Sequence, residues 1–234
     1  MIAVRPDFDH TLDEANQALQ ERRLPQALEL FELAESAGIN DTDRARATKG
    51  QGIVLRLLVN FDEAESTFNV ALGYDDIDDE LRGTILRDYA EVFHDRGNRN
   101  LLYNGGWNDY VEYCFNKANE LFDKSYALLE DVKPLEAAAT LGFQGMLHID
   151  EGKRKLGISE LRQAQLMLFA QHPVYEANNL VRLMRASISD RWRYCQYAFV
   201  LTSKRSPSWA RRKEVWAILL GGNAGYEWAK NHMR

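Results

Sequence analysis

The most restrictive feature of this chain is a spacing that occurs twice. Ala15 is followed twelve residues later by Ala27 and then by Phe31 and Ala34; thirty-seven residues on, Gly52, Ala64, Phe68 and Ala71 repeat the pattern. Positions i, i+4 and i+7 fall on one stripe of a helix, and an alanine or glycine on the preceding helix lets two helix axes approach closely. Each set therefore reads as a helical hairpin with an aromatic ring at its centre. Such a hairpin keeps one apolar face that only a neighbouring hairpin can cover, so stacking is obligatory.

Along the chain, Thr11 to Arg23 and Pro25 to Ser36 read as the first pair, with Pro25 suited to a first helical turn. Ala45 to Asp76 carries the second pair, joined at Asn60. Asp78 to Arg96 reads as a long helix burying Leu86, Tyr89, Ala90 and Phe93. Gly97 to Asn108, rich in Gly and Asn, reads as a long inserted loop that either binds something or packs on itself. Helices follow over 109–129, 134–151 and 153–171, with Gly145, Gly157, Leu161 and Ala164 on the same template. A fifth pair is expected over 174–188 and 190–203, then a helix from Trp209 to Leu220 after the start signal Ser206-Pro207-Ser208. No stretch alternates as a strand would, so the chain is expected to be all-α, with about ten to twelve helices.

The spacing resembles that of the tetratricopeptide repeat, although the units are longer than the roughly 34 residues of that family. The resemblance implies a right-handed α-solenoid of stacked hairpins over residues 1–205, with basic capping helices over 206–234. It also implies a non-enzymatic adaptor whose first helices line a concave groove for a peptide or partner protein. On that template the groove residues are Asn16 in the first unit, Arg46, Lys49, Ile53 and Arg56 in the second, Arg87, Glu91 and His94 in the third, and Met146 further along. Arg46, Lys49, Arg56 and Arg87 would recognise an acidic group by charge-assisted hydrogen bonds, or would simply be solvated. On the binding reading, reversing Lys49 and Arg56 to Glu abolishes binding and leaves thermal stability unchanged. The family's carboxylate clamp needs a Lys and an Asn in the first unit; Asn16 matches, but Leu12 stands where the Lys would be.

Charge bears on the alternative. The net charge is −6, yet Asp190 to Arg234 holds nine Lys or Arg against three Asp or Glu. This basic, aromatic tail could meet nucleic acid, stacking Trp or Tyr on bases, or could dock on the acidic body of the protein itself. The five histidines show no HExxH or paired metal spacing, and no P-loop, dinucleotide-binding or G-x-S-x-G pattern is present. No catalytic residue, metal or cofactor is therefore expected. Cys114 and Cys195 read as reduced, buried thiols. With no apolar run near the roughly 20 residues of a membrane span, no membrane partner is expected and the compartment is read as cytoplasmic. Self-pairing into a homodimer stays open, since imperfectly capped repeats can associate.

Overall fold

The structure is a computed structural model that describes residues 7–104, 106–168 and 173–186. No strand occurs among them. The helices are α1 Phe8–Gln20, α2 Leu24–Ala37, α3 Asp41–Leu57, α4 Phe61–Leu72, α5 Asp79–Tyr103, α6 Asp109–Leu129, α7 Pro134–Asp150, α8 Arg154–Leu168 and α9 Pro173–Ala186. They belong to two compact units that divide between Val132 and Lys133. The expected all-α hairpin architecture is what is observed. The boundary at 205/206 and the capping helices lie outside the described residues.

Local chemistry sets the helix ends. Asn40, Asp78 and Asn108 are N-caps whose side chains accept from the backbone N–H of Asp43 at 2.7 Å, Leu81 at 2.7 Å and Val111 at 3.0 Å. Pro25 and Pro134 occupy the first turns of α2 and α7, where a missing N–H costs nothing. The first two hairpins turn alike: Arg22 and Val59, thirty-seven residues apart, both adopt the left-handed conformation, at φ 62° and 68°. The backbone N–H that follows each reaches back into its helix, Arg23 to Ala18 O and Asn60 to Leu55 O, both at 2.9 Å. The repeat is thus visible in the backbone as well as in the side chains.

In the first unit, α3 lies between two aromatic rings. A Cβ on Gly50 would come within 2.6 Å of Phe31 Cζ on α2, and one on Gly52 within 2.8 Å of Phe68 Cζ on α4. Both rings are almost wholly buried, Phe31 at 1% exposure and Phe68 at 0%. Two glycines on one helix therefore receive the centre of each flanking hairpin helix. Ala15, Ala27, Ala34, Ala64 and Ala71 are likewise completely buried, as the spacing requires.

The loop expected over 97–108 is a correction. Helix α5 runs unbroken through Gly97 to Tyr103, and the connection to α6 is confined to residues 104–108. Gly97 is not a breaker: a Cβ there would lie 2.6 Å from Phe115 Cε1, so the glycine admits the α6 ring against the helix. Packing with α6 continues along α5, where Gly83 receives Leu129 in the same manner and Ser125 donates to Gly83 O at 2.8 Å.

Between α4 and α5, Tyr89 stacks on Phe68 at 5.7 Å, while its hydroxyl donates to Glu65 at 3.3 Å and accepts from Asn69 at 3.2 Å. Burial, reinforced by the Glu65 carboxylate, pushes the Tyr89 pKa up to about 12. An unfolded tyrosine ionises near pH ~10, so the fold holds this proton more tightly. The resulting stability is complete below about pH 10 and lost as pH rises toward about 12. Urea titrations are expected to show the wild type losing up to about 2 kcal/mol more than Tyr89→Phe over that range. Parallel alkaline curves for the two proteins would contradict the assignment.

The first helices of successive hairpins touch one another, α1 with α3 and α3 with α5, whereas the second helices α2, α4 and α6 do not. This places α1, α3 and α5 on the inside of the bend of the first unit.

In the second unit, α7 and α8 approach through glycine. Gly145 and Gly157 face each other so closely that a Cβ on Gly145 would lie 2.8 Å from Gly157 O. Glycine replaces the usual alanine at 157 because its partner there is backbone. Helix α9 packs on both, and Asn179 donates to Leu161 O at 2.8 Å and Gln165 at 3.2 Å.

Candidate functional site

The inner face of the first unit carries an ion network built by register. On α3, Lys49 and Arg56 are seven residues, or two turns, apart; on α5, Asp88 and Asp95 are also seven apart, with Glu91 between them. The Lys49 ammonium lies 3.6 Å from Asp88, and Arg56 lies 2.8 Å from Asp95 and 2.5 Å from Glu91. Both cross-helix pairs span the same thirty-nine residues, so α3 and α5 run in the same direction. Lys49 also donates to Thr84 at 3.2 Å, and Arg87 donates to Asp88 through Nε at 3.1 Å.

The centre of this network is largely withdrawn from water, while Asp95 at its edge is 44% exposed. Side-chain exposure is 15% for Arg56, 13% for Glu91 and 10% for Asp88. Burial works against ionised Asp88, but Arg87, Lys49 and Arg56 outweigh it and hold its carboxyl below the usual range. At Glu91 burial wins: despite Arg56, and with Asp88 and Asp95 adding repulsion, its carboxyl is pushed up. Burial also opposes the charge on Arg56, yet Glu91, Asp95 and Asp88 keep the guanidinium firmly protonated. Arg56 Nε is buried with no hydrogen-bond partner.

Solved structures recognise this stack of hairpins. No family model and no curated protein matches the sequence. BtubC from P. vanneervenii superposes with a TM-score of 0.60 at 12% identity, covering 97% of this chain and 88% of that one. The nearly identical TPR-like repeats of a Podosopora anserina protein give 0.57 at 12% identity, over 86% and 97%. The fold is that of the tetratricopeptide repeat. A third tetratricopeptide-like superposition, pilF of Pseudomonas aeruginosa, gives 0.56 at 11% identity, over 97% and 90% of the two chains.

On this repeat fold the anticipated groove residues divide into three groups. Lys49, Arg56, Arg87 and Glu91 come together, but as members of the ion network, so three of the four cations already face carboxylates of their own chain. The expectation that reversing Lys49 and Arg56 would leave stability untouched does not fit this geometry, because it would add acids to a buried acidic cluster. Arg46 is exposed and, among the described residues, makes no ion pair; Asn16 is exposed and Ile53 half-buried. His94 is half-buried, its ring edge-on to Phe115 at 5.9 Å. Met146 is half-buried on α7, in the second unit.

The residues that sequence reasoning missed are Thr84, Asp88 and Asp95. Their signal is the Asp88, Glu91, Asp95 stripe at i, i+3 and i+7, which matches the seven-residue step from Lys49 to Arg56. His148 pairs with Glu160 at 2.6 Å, with Glu151 at 3.8 Å. Among the described residues no His, Cys, Asp and Glu group is arranged to hold a metal ion, and no helix is long and apolar enough to cross a membrane. Cys114 is buried, and burial raises its thiol pKa, the opposite of what a nucleophile needs.

Proposed function

We propose that this protein is a non-enzymatic interaction module that holds a peptide or partner-protein segment on the face made by α1, α3 and α5. The observation that carries this reading is the inward placement of the first helices, with Arg46 exposed and uncompensated beside a network of charges paired within the chain. An acidic group on the partner would pair with Arg46, while Asn16 on α1 and Ile53, two turns further along α3, offer polar and apolar contact. Lys49, Arg56 and Arg87 are then preorganised side chains whose carboxylates a partner must match or displace, which favours specificity over affinity. The basic tail that supports a nucleic-acid reading lies outside the described residues, and a cytoplasmic setting stays part of the proposal.

The test is capture of partners from a nuclease-treated lysate by the intact protein and by Arg46→Glu. Arg46 is exposed and unpaired, so the variant is expected to melt with the wild type. Recovery of the principal partner is expected to fall at least about tenfold. Equal recovery by both proteins would exclude Arg46 from the binding face.

A further inference from the structure

A second recess lies away from this face, where the first turn of α4, the last two turns of α5 and the first turn of α6 meet. It is an open recess of about 390 Å³ lined by Phe61, Arg99, Asn100, Tyr103, Asn104 and Tyr110, with Arg96 in its wall. The two arginines differ in charge balance. Arg96 is committed: it bonds Glu65 at 2.8 Å and Asp62 at 3.0 Å and lies over the Phe61 and Phe93 rings. Arg99 is exposed, lies 5.1 Å over the Tyr103 ring, and has no carboxylate among the described residues.

The lining is aromatic. Tyr103 is 75% exposed at the mouth. Tyr110 stacks on Tyr113 at 6.4 Å, and Tyr113 meets buried Phe93 edge-on at 6.1 Å. Tyr and Arg around a concavity are what protein interfaces concentrate at their energetic centres. A guanidinium already stacked on an aromatic face has little conformational freedom left to lose and keeps its N–H edges for a carboxylate.

We propose that this recess binds a partner's peptide segment that presents an aromatic side chain next to a carboxylate. The ring enters between Phe61, Tyr103 and Tyr110, the carboxylate pairs with Arg99, and the Asn104 amide is placed for the peptide backbone. The argument for this occupant is charge complementarity: a stacked cation without a counter-ion at the mouth of an aromatic recess. It is independent of the α1, α3 and α5 face, and neither Arg46 nor the ion network takes part.

The test titrates the intact chain with the capped pentapeptide Ac-Gly-Glu-Phe-Glu-Gly-NH2, following the NMR signals of the Arg99 Nε–H and the Asn104 side-chain amide. Saturable shifts are expected at those groups, and both the Gln-for-Glu peptide and the Arg99→Gln variant are expected to bind at least about tenfold more weakly. Arg99 is exposed, so the variant's thermal midpoint should match the wild type. Absence of shifts at these groups, or equal binding by the Gln peptide or by Arg99→Gln, would overturn the proposal. So would shifts produced by phenylacetate but not by the peptide, which would mark a small-molecule site, or shifts that follow protein concentration without peptide, which would mark a second copy as the occupant.

Discussion

Arg56→Glu is expected to destabilise the fold by about 4 kcal/mol or more, a large part of the roughly 5–15 kcal/mol available to a domain. The reason is the neighbourhood. Arg56 is the cation between Glu91 at 2.5 Å and Asp95 at 2.8 Å, and a glutamate in its place would put a fourth acid beside Asp88, Glu91 and Asp95. Removing one partner of a buried pair already leaves the other uncompensated, and reversal adds repulsion. Arg56→Met separates the two effects. Without its guanidinium, Glu91 has burial and two neighbouring acids raising its pKa above an unfolded carboxyl's value near ~4.3, opposed only by the weaker pull of Arg87. The folded state then binds the proton more tightly, so the stability this gives is present at low pH and lost as pH rises through the folded pKa. Urea unfolding should therefore show a deficit for Arg56→Met that shrinks between about pH 8 and pH 5. A deficit independent of pH, or an Arg56→Glu protein as stable as wild type, would mean that the network does not form.

Gly50→Val is expected to cost about 3 kcal/mol, although replacing a helical glycine by a residue with a side chain usually favours the helix. Even a single Cβ at position 50 would lie 2.6 Å from Phe31 Cζ, and the ring has nowhere to go at 1% exposure. Either α2 and α3 separate, losing contact along the hairpin stack, or the ring leaves its rotamer. Coupling identifies the cause: Phe31→Ala alone opens a cavity and is expected to cost about 3–5 kcal/mol, but the double variant should be more stable than the sum of the two losses implies. Additive losses would place the glycine's role in the backbone and not against the ring.

Much of this architecture was legible because the twelve, four, three spacing is a direct image of packing. A small residue opposite a buried ring is a steric requirement, and it is met at Gly52 with Phe68; at Gly145 the same spacing sets the helix against the backbone of Gly157. The end of α5 was misread for a related reason: glycine at 97 signals a break when read locally, but its function is to admit Phe115, a residue eighteen positions away on another helix. The candidate site was legible only as a set of charges. Lys49, Arg56 and Arg87 lie on the helices where cations were expected, yet the partners of Lys49 and Arg56, Asp88 and Asp95, lie at an offset of thirty-nine residues instead of the thirty-seven of the first two units. Without the third unit's register, pairing across α3 and α5 could not be distinguished from a row of cations awaiting a ligand.

The central claim is that a partner lies along the first helices, and site-specific photo-crosslinking measures this most directly. A benzophenone side chain at Ile53, half-buried on α3, is compared with one at Val70, 53% exposed on α4. The account predicts that a single partner protein crosslinks through position 53 and not through position 70, and that Arg46→Glu removes the product. Crosslinking through position 70 with none through position 53 would contradict it.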